Sequence, residues 1–399
     1  MRMSKAARRK TALAFIALSL HALLLSGCWD STEVNDLAVI MAIGIDLTED
    51  RNLELTVKIY LISPASSQQS ETISEPSSGG SGRKSVARSA EGFNMADAAS
   101  KLQQMITRRV FWGQAKVILF GQRLAEEGLA DTLDYLLRHP APRERANVFV
   151  AEGSAKEALL LNPQIERSIA DALQEMAEAQ TGLNITLKEL AQMLAGRSGA
   201  AVLPIVKIDE HEEEKTPFTF IQGAAILKDG KMIGSLDDTA TRGILWLRNE
   251  IKQSTVTVTP EESPGSVSVR ILRNRTELIP HIREGDWSMT VRIEAWDEIA
   301  DNTTNLDLSG PKHIGHVEKL LEADINRRIL DALEPAQKEM KADIFQFAEA
   351  FYRKYPKEWN RNGKRWDEIF PNMDVKLETH VKIERPGLVG KNIFKKEQR

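Results

Sequence analysis

A chain of 399 residues, 42% hydrophobic and with a formal net charge of −4, is long enough to bury the cores of two or three ordinary domains. Its acidic balance excludes binding driven by a broad basic surface, so no nucleic acid is expected among its partners. A single cysteine excludes an internal disulfide framework and any cysteine-rich metal site.

The first 27 residues open with Arg2, Lys5, Arg8, Arg9 and Lys10, continue as the apolar run Thr11 to Leu25, and end in Ser26 and Gly27 directly before Cys28. The apolar run is shorter than the ~20 residues that span a bilayer. With its basic start and small-residue cleavage site, it reads as a signal peptide. The lone Cys28 at the new N-terminus reads as the lipidation site of a lipoprotein, accepting a covalent diacylglyceryl group, with or without an N-acyl chain. Two acyl chains, at ~0.8 kcal/mol per buried methylene, suffice for stable anchoring. Removing residues 1–27 takes away five positive charges and no acids, moving the formal charge from −4 to −9. Lipid is therefore expected to dominate membrane attachment over charge.

An N-terminal α/β domain is predicted over residues 28–208. Leu37 to Ile45 reads as a buried strand, and Leu53, Leu55, Val57, Ile59 and Leu61 alternate as its half-buried partner across a turn near Glu49 to Asn52. Residues 63–90, rich in Ser, Gly, Pro and Gln, read as a flexible loop. Helical spacing follows at Met95, Ala99, Leu102 and Ile106, a strand at Ala115 to Phe120, a helix from Leu124 to His139, and a strand at Asn147 to Ala151. Two more helices are predicted around Ile169 to Met176 and Leu187 to Leu194, the second capped by Thr186 and Glu189.

The acidic run Glu212 to Glu214 marks a domain boundary. Beyond it a mainly β domain is predicted over 217–300, with period-two strands at Phe218 to Leu227, Thr255 to Thr259, Val267 to Leu272 and Met289 to Trp296. A C-terminal α+β domain over 301–399 carries the stripe Val317, Leu321, Ile325, Ile329 and Leu333, a second stripe from Met340 to Phe351, and a final strand from Val375 to Ile383. The fold class is α+β: multidomain, with mixed and antiparallel sheets and packed helices.

Catalytic signatures are missing. The sequence holds no P-loop, His-Glu-x-x-His pair, nucleophile elbow or dinucleotide fingerprint. His313 and His316 share a helical spacing, but no third ligand is marked, and they read as exposed histidines ahead of a helix. Asp297, Glu298, Asp301 and Asp307 fit no calcium-loop spacing and read as a solvated acidic turn. The dispersed Trp112, Trp246, Trp287, Trp296, Trp359 and Trp366 read as core or interface anchors, and Asn184, Asn274 and Asn302 match the glycosylation pattern uninformatively. The chain is expected not to be an enzyme and to hold neither metal nor cofactor.

The residues then resemble the Ger(x)C family, the C-subunit lipoproteins of spore-germination nutrient receptors. The resemblance starts at Cys28, Trp29, Asp30 and Glu33, and runs through Asn35 to Ala38, Gly44 to Asp46, Arg108 to Gly113, Arg138, Arg145 and Pro204. It continues in Gly223, Ala225, Thr241 to Gly243, Trp246, Asp343 to Phe345, Pro356, Trp359, Trp366 and Gly387. Gln114 stands where a histidine is expected, and the insert before residue 90 is longer than the family's usual loop.

The resemblance implies a non-enzymatic subunit, lipid-anchored to the outer face of the spore inner membrane or to the cell membrane of a spore-forming bacterium. It also implies two integral membrane receptor subunits as partners in assembly or signalling, and leaves open whether this subunit contacts the nutrient. Arg108 and Arg109 read either as an interaction patch or as positive charge at a helix C-terminus. The competing reading is the solute-binding lipoprotein of a membrane importer, which requires two parallel-sheet lobes around a cleft.

Overall fold

The first apolar run becomes a central strand. The computed structural model describes residues 15–16, 36–60, 85–138, 143–163, 165–179, 182–209, 217–252 and 254–385. Within it β1 (Leu37–Leu47) pairs antiparallel with β2 (Leu53–Tyr60), and β2 with β3 (Ser85–Gly92). On its other side β1 takes two short parallel neighbours in succession: β4 (Arg109–Phe111) against Leu37–Val39, then β5 (Val117–Gly121) against Ala42–Ile45. Next come β6 (Asn147–Ala151), β7 (Ala200–Asp209), β8 (Phe218–Lys228) and β9 (Lys231–Leu236), giving a nine-stranded sheet ordered β3-β2-β1-β5-β6-β7-β8-β9 with β4 also on β1. Its centre is parallel and its flanks antiparallel.

Helices cover both faces, so β5 and β6 are buried at every position. In chain order the helices are α1 (Met95–Gln104), α2 (Gln122–Glu127), α3 (Ala130–Arg138), α4 (Ala155–Leu160), α5 (Ile169–Glu178) and α6 (Leu187–Leu194). Ile118, Phe120, Val148 and Val150 share a core with α1, α2, α3 and α6. The alternate residues Val117, Leu119, Phe149 and Ala151 share one with α4 and α5. The predicted Thr186–Glu189 cap is present as a reciprocal pair of bonds, satisfying two orphan N–H groups of α6.

The second sheet is ordered β10 (Thr255–Val258), β11 (Val267–Arg283), β12 (Asp286–Asn302), β13 (Asp374–Arg385), with β13 parallel to β12. Helices α7 (Asp238–Leu247) and α8 (Pro311–Glu334) pack together at Gly243, where a Cβ atom would lie 2.0 Å from the carbonyl oxygen of Arg328. The predicted stripe from Val317 to Leu333 is buried in α8. α9 (Phe347–Lys354), α10 (Pro356–Asn362) and α11 (Trp366–Asn372) complete the fold. One continuous apolar core spans both sheets.

Glutamates of α8 also close the outer edge of β13. Glu318 accepts the Ile383 N–H at 2.9 Å, and Glu322 accepts the Val381 N–H at 3.1 Å. Asn326 Oδ1 accepts the Thr379 hydroxyl at 2.6 Å. Four-residue steps of the helix rise ~6 Å and match two-residue steps of the strand.

Three expectations are corrected. Ser85 to Ala90, placed in the 63–90 loop, form most of β3, because the exposed ladder of β2 supplies main-chain partners that side-chain composition does not reveal. Residues 63–84, the remainder of that loop, lie outside the described residues, as do Leu61 of the predicted strand and the acidic run Glu212 to Glu214. The predicted middle domain divides: β8 and β9 complete the first sheet, while β10 to β12 build the second with a strand from the C-terminal region. Finally, the strands at Val267 and Met289 are each 17 residues long, since they pair along their whole length as one hairpin; the exposed Arg273, Arg275 and Arg283 in the outer half of β11 mask its period in the sequence.

Candidate functional site

Cys28 lies outside the described residues, but the point where the chain enters the fold is fixed. Eight residues separate Cys28 from Leu37, the first residue of β1. Leu37 stands opposite Arg109 and Val39 opposite Phe111 in the parallel β1–β4 ladder, with Tyr60 on the other side of Val39. Helix α1 runs back toward this end and delivers the connection Met105 to Arg108.

The side chain of Gln103 holds that connection. Its Oε1 accepts the Val110 N–H at 2.9 Å, and its Nε2 donates to the Arg108 carbonyl at 2.9 Å. Arg108 and Arg109 are exposed beyond the end of α1, whose last-turn cation is Lys101, so they are not its capping charges. Met105 and Phe111 are also exposed, at 58% and 39%. Sequence reasoning singled out Phe111 only within the Arg108 to Gly113 resemblance and missed Met105, because neither carries a local mark and only the β1–β4 pairing gathers them. Arg138 and Arg145 are exposed as well.

The buried acids elsewhere are structural. Asp46 accepts the N–H groups of Ala155 and Lys156, each at 2.8 Å, and the Ser154 hydroxyl at 3.3 Å, pinning the start of α4 to β1. Asp343 accepts the N–H groups of Phe345, Phe347 and Ala348 at 3.2, 3.1 and 2.7 Å around the start of α9. Burial raises the pKa of both carboxyls. Their acceptor sites are occupied by backbone, which suits helix anchoring and not proton transfer to a substrate.

Asp297, Glu298 and Asp301 do not form the expected solvated turn, because β12 continues through them and strand alternation separates neighbours; only Asp307 lies in the loop that follows. Asp297 points into the core between Ile271 and Ile383 in the ladder, and burial pushes its carboxyl up to about 7. Its Oδ1 has no hydrogen-bond partner. Glu298 faces outward to Arg270 at 2.9 Å, Asp301 is exposed, and Asp307 accepts the Ser309 N–H at 3.0 Å. His313 and His316 lie within the first turns of α8 and are half-buried, a correction to their reading as exposed; His313 Nδ1 is 2.9 Å from the Asp307 carbonyl oxygen.

Among the described residues no group of three His, Cys, Asp or Glu is placed to hold a metal ion, and no helix is long and apolar enough to cross a membrane. Trp287, Trp359 and Trp366 stack with Phe351 in one cluster, with ring centroids 4.7 to 6.3 Å apart. Trp246 is a buried residue of α7. Asn184 accepts from Asn147 at 2.6 Å, Asn274 donates to Asn249 at 3.2 Å, and Asn302 is buried.

Comparison with known proteins gives a consistent result. Residues 30–208 match the family described as spore germination protein N-terminal domain, and residues 222–387 match spore germination B3/GerAC like, C-terminal. The chain is similar to spore germination protein KC of Bacillus subtilis strain 168, at 30% identity over 95% of this chain and 97% of that protein. It is also similar to spore germination protein B3 of the same strain, at 23% identity over 96% of this chain and 100% of that protein. In fold it resembles the crystal structure of the GerBC protein, with a TM-score of 0.57 and 20% identity, covering 86% of this chain and 97% of that one.

Proposed function

Because the chain belongs to the spore germination B3/GerAC-like family, we propose that it is a lipid-anchored, non-enzymatic subunit of a nutrient germinant receptor. A role in spore germination follows from the family itself. The finer reading is a subunit held by acylated Cys28 on the outer face of the spore inner membrane or cell membrane. There it serves receptor assembly or signalling beside two integral membrane subunits. The observation that carries it is the placement of Cys28: the match to the N-terminal family domain begins at residue 30, two positions after a cysteine that follows an export-signal sequence.

The use of Asp46 and Asp343 as helix anchors, and the separation of Asp297 from Glu298 on opposite faces of β12, support a non-catalytic role. No bound cofactor enters this reading beyond the covalent lipid. The importer alternative is not favoured, since the nine strands form one continuous sheet and not two parallel-sheet lobes around a cleft.

The test is Cys28→Ala in sporulating cells. Loss of labelled-lipid incorporation together with slowed nutrient-triggered germination supports the reading. Equal labelling of wild type and variant removes it.

A further inference from the structure

We propose that the end of the first sheet bearing Met105, Arg108, Arg109 and Phe111 is seated on the bilayer surface. The two arginines bind anionic lipid headgroups, and the two apolar side chains lie at the headgroup boundary. The proposal rests on the anchor at Cys28 and adds an orientation and a lipid preference to it.

Geometry carries the argument. The eight residues between Cys28 and Leu37, fully extended, let Leu37 lie at most ~30 Å from the anchored Cys28, so this end of the sheet is the one held near the membrane. Arg109 is the ladder neighbour of Leu37, and adjacent strands lie ~4.8 Å apart, so the basic pair sits where the tether ends. The mature chain is strongly acidic, yet neither Arg108 nor Arg109 pairs with an acid among the described residues, which leaves two exposed cations at the end of the sheet where the tether enters. Met105 and Phe111 flank them, exposed at 58% and 39%, giving the mixed basic and apolar character of a peripheral membrane contact.

The surface is also preorganised. The Gln103 bridge and the β4 ladder hold the backbone of Arg108 to Phe111, so little ordering is required on contact. Basic residues near a membrane gain attraction only within about a Debye length, ~8–10 Å, of an anionic leaflet; the tether keeps them within ~30 Å, and headgroup binding brings them the rest of the way.

The test uses the full lipidated protein, reconstituted in vesicles of phosphatidylcholine alone or mixed with phosphatidylglycerol, with nitroxide-headgroup lipid as quencher. Fluorophores are placed at Phe111→Cys, at Met105→Cys as a second reporter, and at Glu126→Cys on the opposite end of the sheet. Strong quenching at 105 and 111 but not at 126, greater on anionic vesicles, is expected. Adding Arg108→Gln and Arg109→Gln should lower the seated-to-free ratio on anionic vesicles roughly fivefold per arginine. Protein that floats with vesicles but is quenched equally at both ends overturns the seating and leaves the anchor intact. Protein that does not float overturns the anchor, and the seating with it.

Discussion

A Cβ atom on Gly121 would lie 2.1 Å from Oδ1 of Asp46, so the glycine at the end of β5 and the acid near the end of β1 specify each other. Asp46 reaches the N–H groups of α4 only because that space is empty. Gly121→Ala would push the carboxylate off its donors and leave buried groups unpaired. A loss of roughly 2–4 kcal/mol is expected in urea unfolding of the soluble chain. A midpoint unchanged from wild type would show that the carboxylate has room to move.

Asp297 sets a pH dependence of stability. Its folded pKa is raised from 3.8 to about 7, so between those values the folded form holds a proton that the unfolded form has released. Stability therefore falls as pH rises through this window, and the full cost persists above it. Asp297→Asn is expected to stabilise by up to ~4 kcal/mol at pH ~8 and to change little at pH ~4. Thermal melts of the two proteins across pH measure the difference; parallel curves would contradict it.

Gly243 governs the contact between α7 and α8, since its missing side chain lets the Arg328 carbonyl approach. Gly243→Val is expected to cost more than ~3 kcal/mol by forcing the helices apart, and to speed proteolysis of the second sheet. Unaltered cleavage kinetics would show that the helix pair tolerates separation.

Tether length is the functional variable of the proposed receptor subunit. Inserting ~20 Gly/Ser residues between Asp30 and Glu33 lowers the effective concentration of the domain at its membrane partners. Lipidation and folding should persist while nutrient-triggered germination slows and co-purification of the receptor subunits weakens. Wild-type values for both, at equal protein levels, would mean that docking needs no close tether.

Much of the fold was legible where signals are local. The β1–β2 alternation, the Thr186–Glu189 cap and the buried stripe of α8 each follow from spacing within a few turns of chain. Sheet order is not local, so nothing in Phe218 to Leu236 marks it as a continuation of β7. Strand β4 is three residues long, too short for any period, and β3 is a strand only because β2 offers it a ladder. The candidate site suffered for the same reason: Arg108 to Gly113 stood out by resemblance, but their position beside Leu37 depends on a long-range parallel pairing. Several other residues of the resemblance have packing duties, among them Asp46, Gly243, Asp343 and Trp366.

The alignment of Glu318, Glu322 and Asn326 with alternate residues of β13 has a consequence for recruitment. Sheet edges invite strand addition by other chains, whether in specific β-augmentation or in aggregation. Here the donors that an incoming strand would need, the N–H groups of Val381 and Ile383, are already occupied by carboxylates of the same molecule. An added strand would also bring its own carbonyls toward those carboxylates and meet repulsion. The β13 edge is therefore chemically sealed, and a partner that meets this side of the molecule must do so through side-chain surfaces and not by adding a strand to β13.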